Sequence, residues 1–204
     1  MVAGVDAVLF DMDGTLVDSD AAVERSWSTW ATEHGVDPAV VLPIAHGNPA
    51  EITVAALLPA LGPDEVATSA ARQLALQYDD LADVGPTKGA ERLVALLNEG
   101  AVPWAVVTTA DRRLADARLA AAGLTAPLLV TADDITANKP DPEGYLLAAR
   151  RLGVAPQRCL VVEDTATGLQ AGRAAGARTA ALKGQDGDIR LAHLGELADL
   201  LQGS

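Results

Sequence analysis

Five short apolar runs punctuate the chain: Val5 to Phe10, Val102 to Thr108, Leu128 to Thr131, Cys159 to Val162 and Thr179 to Leu182. None alternates with polar residues as a half-solvated strand does, so each predicts a strand buried on both faces. From Val102 onward these runs alternate with helical stretches. Asp111 to Ala122 stops at Gly123, Pro142 to Leu152 at Gly153, and Thr167 to Ala175 at Gly176, each glycine standing where a helix ends. Asp141 before Pro142 reads as an N-cap followed by a first-turn proline. Strand and helix in alternation predict a parallel sheet covered on both faces.

Residues 17–86 carry no strand signal. Several amphipathic patterns run through them, broken at Gly35, Pro43, Gly47-Asn48-Pro49 and Gly62-Pro63. Connections between a strand and the next helix are usually about 2–6 residues, so this stretch is an insertion rather than a loop. The expected architecture is therefore α/β: a Rossmann-like parallel sheet core over 1–16 and 87–204, with an inserted α-helical lobe over 17–86. The Gly14 turn and Gly85-Pro86 are its expected hinges.

Composition narrows the function classes. Half of the 204 residues are hydrophobic, enough for a substantial core, but only 3% are aromatic, which leaves few rings for stacking on bases. A net charge of −13 repels nucleic acid and anionic membrane surfaces, and neither is an expected partner. The single cysteine, Cys159, excludes an internal disulfide and a multi-cysteine zinc site and suits a reducing compartment. With no basic leader-like start and no apolar stretch of spanning length, a soluble, cytoplasmic protein is the expectation, and it is expected to act as a monomer. Neither a G-x-S-x-G elbow nor a G-x-x-x-x-G-K-[ST] loop occurs, so serine hydrolase and P-loop readings have no support.

The chemistry concentrates at strand ends. The first run closes in Phe10-Asp11-Met12-Asp13-Gly14-Thr15, and residues two apart on an extended chain share a face, so Asp11 and Asp13 present their carboxyls together. A calcium loop fails on spacing: counting from Asp11, Leu16 and Ala22 stand where glycine and glutamate belong. Thr108 and Thr109 follow the second run, Lys139 precedes a helix, and Glu163-Asp164 follow the fourth. Alone, each has an ordinary explanation as a β-branched strand residue, a surface lysine or solvated loop acids. In one parallel sheet, all of them converge on the crevice beyond the carboxyl ends of the strands, where such sheets bind ligands. Asp11, Asp13, Glu163 and Asp164 repel one another with only Lys139 in opposition, a problem that a hard divalent cation such as Mg²⁺ relieves. With that cation bound and Asp13 protonated the crevice is neutral and admits a phosphate dianion.

Asp11-x-Asp13-Gly14-Thr15, Thr108, Lys139 and Glu163-Asp164 resemble, in order and spacing, the four motifs of the haloacid dehalogenase (HAD) superfamily. The run 166–177 looks like the helix after that family's fourth motif, and 17–86 matches its helical cap. His46-Gly47, Trp104 to Thr108 and Lys139-Pro140-x-Pro142-x-x-Tyr145-Leu146 look most like its sugar-phosphate and hexitol-phosphate phosphatases. The resemblance implies a Mg²⁺-dependent phosphomonoester hydrolase of a small phosphorylated metabolite, with Asp11 as nucleophile forming an aspartyl-phosphate and Asp13 as general acid and base. It implies Thr108, Thr109 and Lys139 on the phosphoryl group, Gly14 in the binding loop, and Asp11, the Asp13 carbonyl, Glu163 and Asp164 on the metal. His46, Gly47, Asn48 and Glu24 are the implied cap contacts to substrate.

Two departures stand out. Asn138 replaces the glycine usual before the motif lysine, and asparagine tolerates left-handed backbone; Lys88 replaces a proline before Gly89. Asp13 with Glu163-Asp164 argues against true dehalogenation. Val23 stands where the similar β-phosphoglucomutases carry a histidine, which favours hydrolysis over mutase transfer; a phosphoglycolate-type phosphatase is the other enzymatic alternative. A phospho-accepting receiver module groups similar residues, but on a middle strand and without an inserted lobe.

Overall fold

A computed structural model of the chain describes residues 4–45 and 48–203. It divides into two compact units, Met1–Asp18 with Gly85–Ser204, and Ser19–Val84. In chain order the first unit opens with β1 (Ala7–Phe10) and the short β2 (Val17–Asp18), and the second holds α1 (Asp20–His34), α2 (Pro38–Ala45), α3 (Ala50–Leu57) and α4 (Pro63–Gln77). The chain returns to the first unit through β3 (Gly85–Pro86), α5 (Ala90–Glu99), β4 (Trp104–Val107), α6 (Arg112–Ala121) and β5 (Leu129–Val130). It continues through α7 (Glu143–Leu152), β6 (Cys159–Glu163), α8 (Ala166–Ala174), β7 (Arg178–Ala181), β8 (Ile189–Arg190) and α9 (Leu194–Gln202).

Six parallel strands form the main sheet in the order β5-β4-β1-β6-β7-β8. Residue parity sorts its two faces. Ala7, Leu9, Ala105, Val107, Cys159 and Val161 belong to one buried cluster with Tyr145, Ala148 and Ala149 of α7 and Ala171 of α8. Residues of the opposite parity are equally buried: Phe10 meets Trp104 edge to face with ring centroids 5.9 Å apart, and the Trp104 indole donates to Asn98 of α5. Because both faces are covered, the strands needed no polar alternation, which is why they read as apolar runs.

Several boundaries differ from expectation. β8 is half-exposed at the sheet edge, and its two residues have no apolar run to reveal it. Residues 17–18 and 85–86, expected within the inserted lobe, pair antiparallel with each other as a separate two-stranded sheet. Thr87 ties that pair down, its amide donating to Leu16 O at 3.0 Å and its hydroxyl to Thr15 O at 2.5 Å. Pro142, not Asp141, is the N-cap of α7, yet Asp141 still receives the Glu143 amide at 2.9 Å. Pro43 lies inside α2 rather than breaking it; in an eight-residue helix it removes one i→i−4 bond, while Val41 and Ala45 remain buried.

The helical unit has its own core of Trp27, Trp30, Ala31, Val41, Ala45, Val54 and Ala70. Trp30 anchors it. Fully buried, its indole N–H reaches Ser69 Oγ at 2.9 Å, its ring stacks on His34 at 4.4 Å, and Trp27 meets it edge-on. No helix among the described residues is long and apolar enough to cross a membrane.

Trp30→Ala removes the fully buried one of the two tryptophans in this small core and is expected to cost about 3–5 kcal/mol. Urea unfolding followed by far-UV circular dichroism measures it, and a loss below about 1 kcal/mol would show that Trp30 is not the anchor.

Candidate active site

The switch in strand order places the carboxyl ends of β4, β1 and β6 side by side. Beyond Phe10, the Asp11 amide extends the pairing by donating to Val162 O at 3.0 Å. The chain then folds tightly: the amides of Leu16 and Val17 both donate to Met12 O at 2.9 Å, and Gly14 adopts a left-handed φ of +79°. A Cβ on Gly14 would stand 2.2 Å from Asp164 Oδ2, so this loop lies directly against the end of β6. Thr15 Oγ1 donates to Asp164 Oδ1 at 3.3 Å.

Lys139 joins the two strand ends. Its ammonium donates to Asp11 Oδ1 at 2.5 Å, Glu163 Oε1 at 2.7 Å and Val107 O at 3.1 Å, above the Tyr145 ring at 5.2 Å. Glu163 is fully buried, and both carboxylate oxygens are engaged: Oε1 also accepts from Tyr145 Oη at 2.8 Å, and Oε2 from the Thr165 hydroxyl at 2.9 Å and amide at 3.2 Å. The helix that follows makes room for it, since a Cβ on Gly168 would stand 1.8 Å from Glu163 Oε1. Thr108 is buried, its hydroxyl oxygen accepting from the Ala110 amide at 3.1 Å, and Thr109 is exposed. Both line a small cleft with Lys139 and Tyr145.

The electrostatics follow from burial. Desolvation raises the Asp11 carboxyl well above the usual carboxylate range; Lys139 opposes this, while Glu163 and Asp164 reinforce it. Asp164 is raised for the same first reason, with Glu163 adding and the Lys183 ammonium, 3.1 Å away, opposing. Burial pulls Lys139 down, but Asp11 and Glu163 outweigh it and hold the ammonium well above its ordinary value. Burial and the Glu163 charge likewise raise the Tyr145 phenol.

Oxygens of Asp11, Glu163 and Asp164 lie within 4.8 Å of one another. Three clustered, buried carboxylates suit a small hard cation that prefers oxygen, and a divalent charge among them acts against the pKa elevation of Asp11 and Asp164. The donor set therefore fits Mg²⁺.

Thus the structure brings Asp11, Lys139, Glu163 and Asp164 together, with Thr108 and Thr109 beside Lys139. The Asp13 side chain instead pairs with Arg118, Nη1 to Oδ1 at 2.7 Å. Asn138 does not use left-handed backbone: among the described residues only Ala101 and Lys183 do so besides glycines. Its carbonyl closes a turn by accepting from the Asp141 amide at 3.0 Å. His46 and Gly47 lie outside the described residues. In the helical unit, Asn48 is exposed and donates to Ile44 O at 2.8 Å, and Glu24 is exposed on α1.

Sequence reasoning missed Arg118, Lys183 and the hydrogen-bonding role of Tyr145. Arg118 had a signal, because it interrupts the apolar face that Leu114, Ala115 and Leu119 define on α6. Lys183 had none, as a lysine after a strand is ordinary, and only its left-handed backbone and its contact with Asp164 distinguish it.

A parallel sheet with carboxylates, an ammonium and hydroxyls at one edge is the arrangement that the resemblance to the HAD hydrolases implied. The family model described as haloacid dehalogenase-like hydrolase matches residues 5–176, and the chain belongs to that family. Among curated relatives, it is 41% identical over 175 residues to hexitol phosphatase A of Escherichia coli (strain K12), spanning 85% of this chain and 81% of that one. Validoxylamine A 7'-phosphate phosphatase of Streptomyces hygroscopicus subsp. limoneus is 35% identical over 175 residues, covering 82% and 81%. In fold, the chain is similar to CbbY from Rhodobacter sphaeroides in complex with phosphate, with TM-score 0.83, 23% identity and 95% and 96% of the two chains covered. β-Phosphoglucomutase from Clostridium difficile matches with TM-score 0.85 at 18% identity, over 98% and 96%.

Gly168→Ala forces a methyl into the Glu163 carboxylate and is expected to cost about 1–3 kcal/mol. An unchanged urea midpoint would show that Glu163 does not need that space.

Proposed function

We propose that the protein is a Mg²⁺-dependent phosphomonoester hydrolase of a small sugar or polyol phosphate, working through an aspartyl-phosphate on Asp11. The observation that carries the reading is the Lys139 ammonium bridging Asp11 and Glu163 within reach of Asp164. It puts a nucleophile, a fixed positive charge and oxygen ligands at one strand edge.

In the first half-reaction an Asp11 oxygen bonds to phosphorus as the ester P–O bond breaks, and the departing oxygen takes a proton from Asp13. In the second, a water gives its proton to Asp13 while its oxygen bonds to phosphorus, releasing inorganic phosphate and restoring the Asp11 carboxylate. Lys139 offsets charge on the phosphoryl oxygens, and the Thr108 hydroxyl and Thr109 amide bind them. Asp11 and Asp164 through their side chains, Asp13 through its carbonyl, and Glu163 directly or through a water, would hold Mg²⁺, which would supply further charge neutralisation at the phosphoryl group.

The helical unit serves as a cap that selects substrate, with His46, Gly47, Asn48 and Glu24 as its contacts. Hexitol phosphatase A, by its name, acts on a phosphorylated hexitol, and the 33% identical fructose-1-phosphate phosphatase YqaB of Escherichia coli (strain K12) on a sugar phosphate, which supports a sugar or polyol phosphate here. Val23 at the position of the mutase histidine supports hydrolysis over mutase transfer. The single cysteine, buried as Cys159, supports a cytoplasmic protein, and a monomer suffices because the proposed chemistry uses residues of one chain.

The test is a panel of sugar, polyol and glycolate phosphates with Mg²⁺ or with excess EDTA. Sugar or polyol phosphates should be hydrolysed with Mg²⁺ and lose turnover under EDTA, with recovery when Mg²⁺ is restored. Asp11→Asn should abolish turnover; near-normal activity in that variant overturns the nucleophile assignment.

A further inference from the structure

The Arg118 side chain is only 3% exposed, on the inward face of a helix otherwise lined by Leu114, Ala115 and Leu119. Withdrawing a guanidinium from water is costly unless an acid answers it inside the protein. Here the answer is Asp13, 105 residues earlier in the chain, at 2.7 Å, the short distance of a charge-assisted hydrogen bond. Asp13 itself is 29% exposed. The guanidinium therefore grips the carboxyl from the protein interior, while the carboxyl keeps a face toward solvent.

Backbone and side chain of Asp13 are held by different means. The loop that carries it is closed by the Thr15, Leu16 and Val17 amides converging on Met12 O, which sets the position of the Asp13 Cα. That network does not itself fix the side-chain torsions, and the Arg118 guanidinium restricts the rotamers of the carboxyl it grips.

We propose that Arg118 is a positioning residue for the proton-transfer step: it holds the Asp13 carboxyl in the orientation from which a proton passes to the leaving oxygen, and returns when water attacks. This rests on the hydrolase reading above and deepens it. Arg118 touches neither the phosphoryl group nor the reacting oxygens; it acts through Asp13. Its importance therefore scales with how badly the leaving group needs a proton. A sugar alkoxide is a poor leaving group without one, whereas p-nitrophenolate departs readily unprotonated.

The test compares a sugar phosphate found in the substrate panel with p-nitrophenyl phosphate, using purified wild type, Arg118→Met and Arg118→Lys, all with Mg²⁺. For Arg118→Met, kcat on the sugar phosphate should fall about 10²-fold, within the range of lost general acid catalysis, with KM within about twofold. On p-nitrophenyl phosphate the loss should stay under about fivefold. Arg118→Lys keeps the buried charge but not the planar fork, and should recover part of the difference. Asp13→Asn placed on Arg118→Met should cost far less on the sugar phosphate than it does alone, since the two residues act as one unit. Thermal melting of each variant separates a folding defect from a catalytic one, and Arg118→Lys carries the comparison if Arg118→Met unfolds.

Equal losses on the two esters overturn the assignment, as does additivity with Asp13→Asn. So does a loss confined to KM on both esters, which would make Arg118 a phosphoryl ligand. A wild type that hydrolyses neither ester with Mg²⁺ fails the hydrolase reading itself, a result distinguishable from these.

Discussion

The Lys139 ammonium is the contact on which the site depends. Burying Glu163 completely at the end of β6 leaves a charge that water cannot reach, and Asp11 at the end of β1 adds a second beside it. A single buried cation hydrogen-bonded to both converts two repelling carboxylates into a compact, oriented group. The surroundings are shaped to that group: Tyr145 and Thr165 satisfy the other lone pairs of Glu163, Val107 O takes the third ammonium proton, and Gly168 leaves the carboxylate its space. Such a cluster is poor at adding stability and good at fixing geometry, because replacing any member strands a charge in the interior.

Sheet topology makes that cluster possible. β1 is the central strand, with β4 on one side and β6 on the other, so residues far apart in the chain arrive at neighbouring strand ends. The register Phe10↔Val106 and Phe10↔Val162 places Asp11, Thr108 and Glu163 along one edge of the sheet. The chain departs for the helical unit just past this edge, after Asp18, and returns at Gly85. The unit's separate Trp-centred core lets its sequence vary without disturbing strand registers.

Asp13 sits differently from its neighbour two residues back. Asp11 is held by an ammonium among other carboxylates, while Asp13 is partly exposed and held by a guanidinium from α6. Two carboxyls just past the same strand thus receive separate environments, which is the condition that the proposed division into nucleophile and proton carrier requires.

Residue order alone determined the parallel α/β core, because strands buried on both faces must be apolar throughout and helices between them must end where glycine permits. It also determined the inserted helical segment and the acids, hydroxyls and lysine of the site, since those side chains have few reasons to recur at successive strand ends. It did not reveal β8 or the β2–β3 pair, whose two-residue strands depend on partners far away in the chain. Nor did it reveal Tyr145 under Lys139, Lys183 on Asp164, or Arg118 behind Asp13. A tyrosine on a helix or a lysine after a strand has no local pattern that names its partner, and the arginine's place on an apolar face said only that some acid must answer it. Which acid answers is a matter of distance in three dimensions, and only the tertiary fold, which brings Arg118 of α6 to 2.7 Å from Asp13, sets that distance.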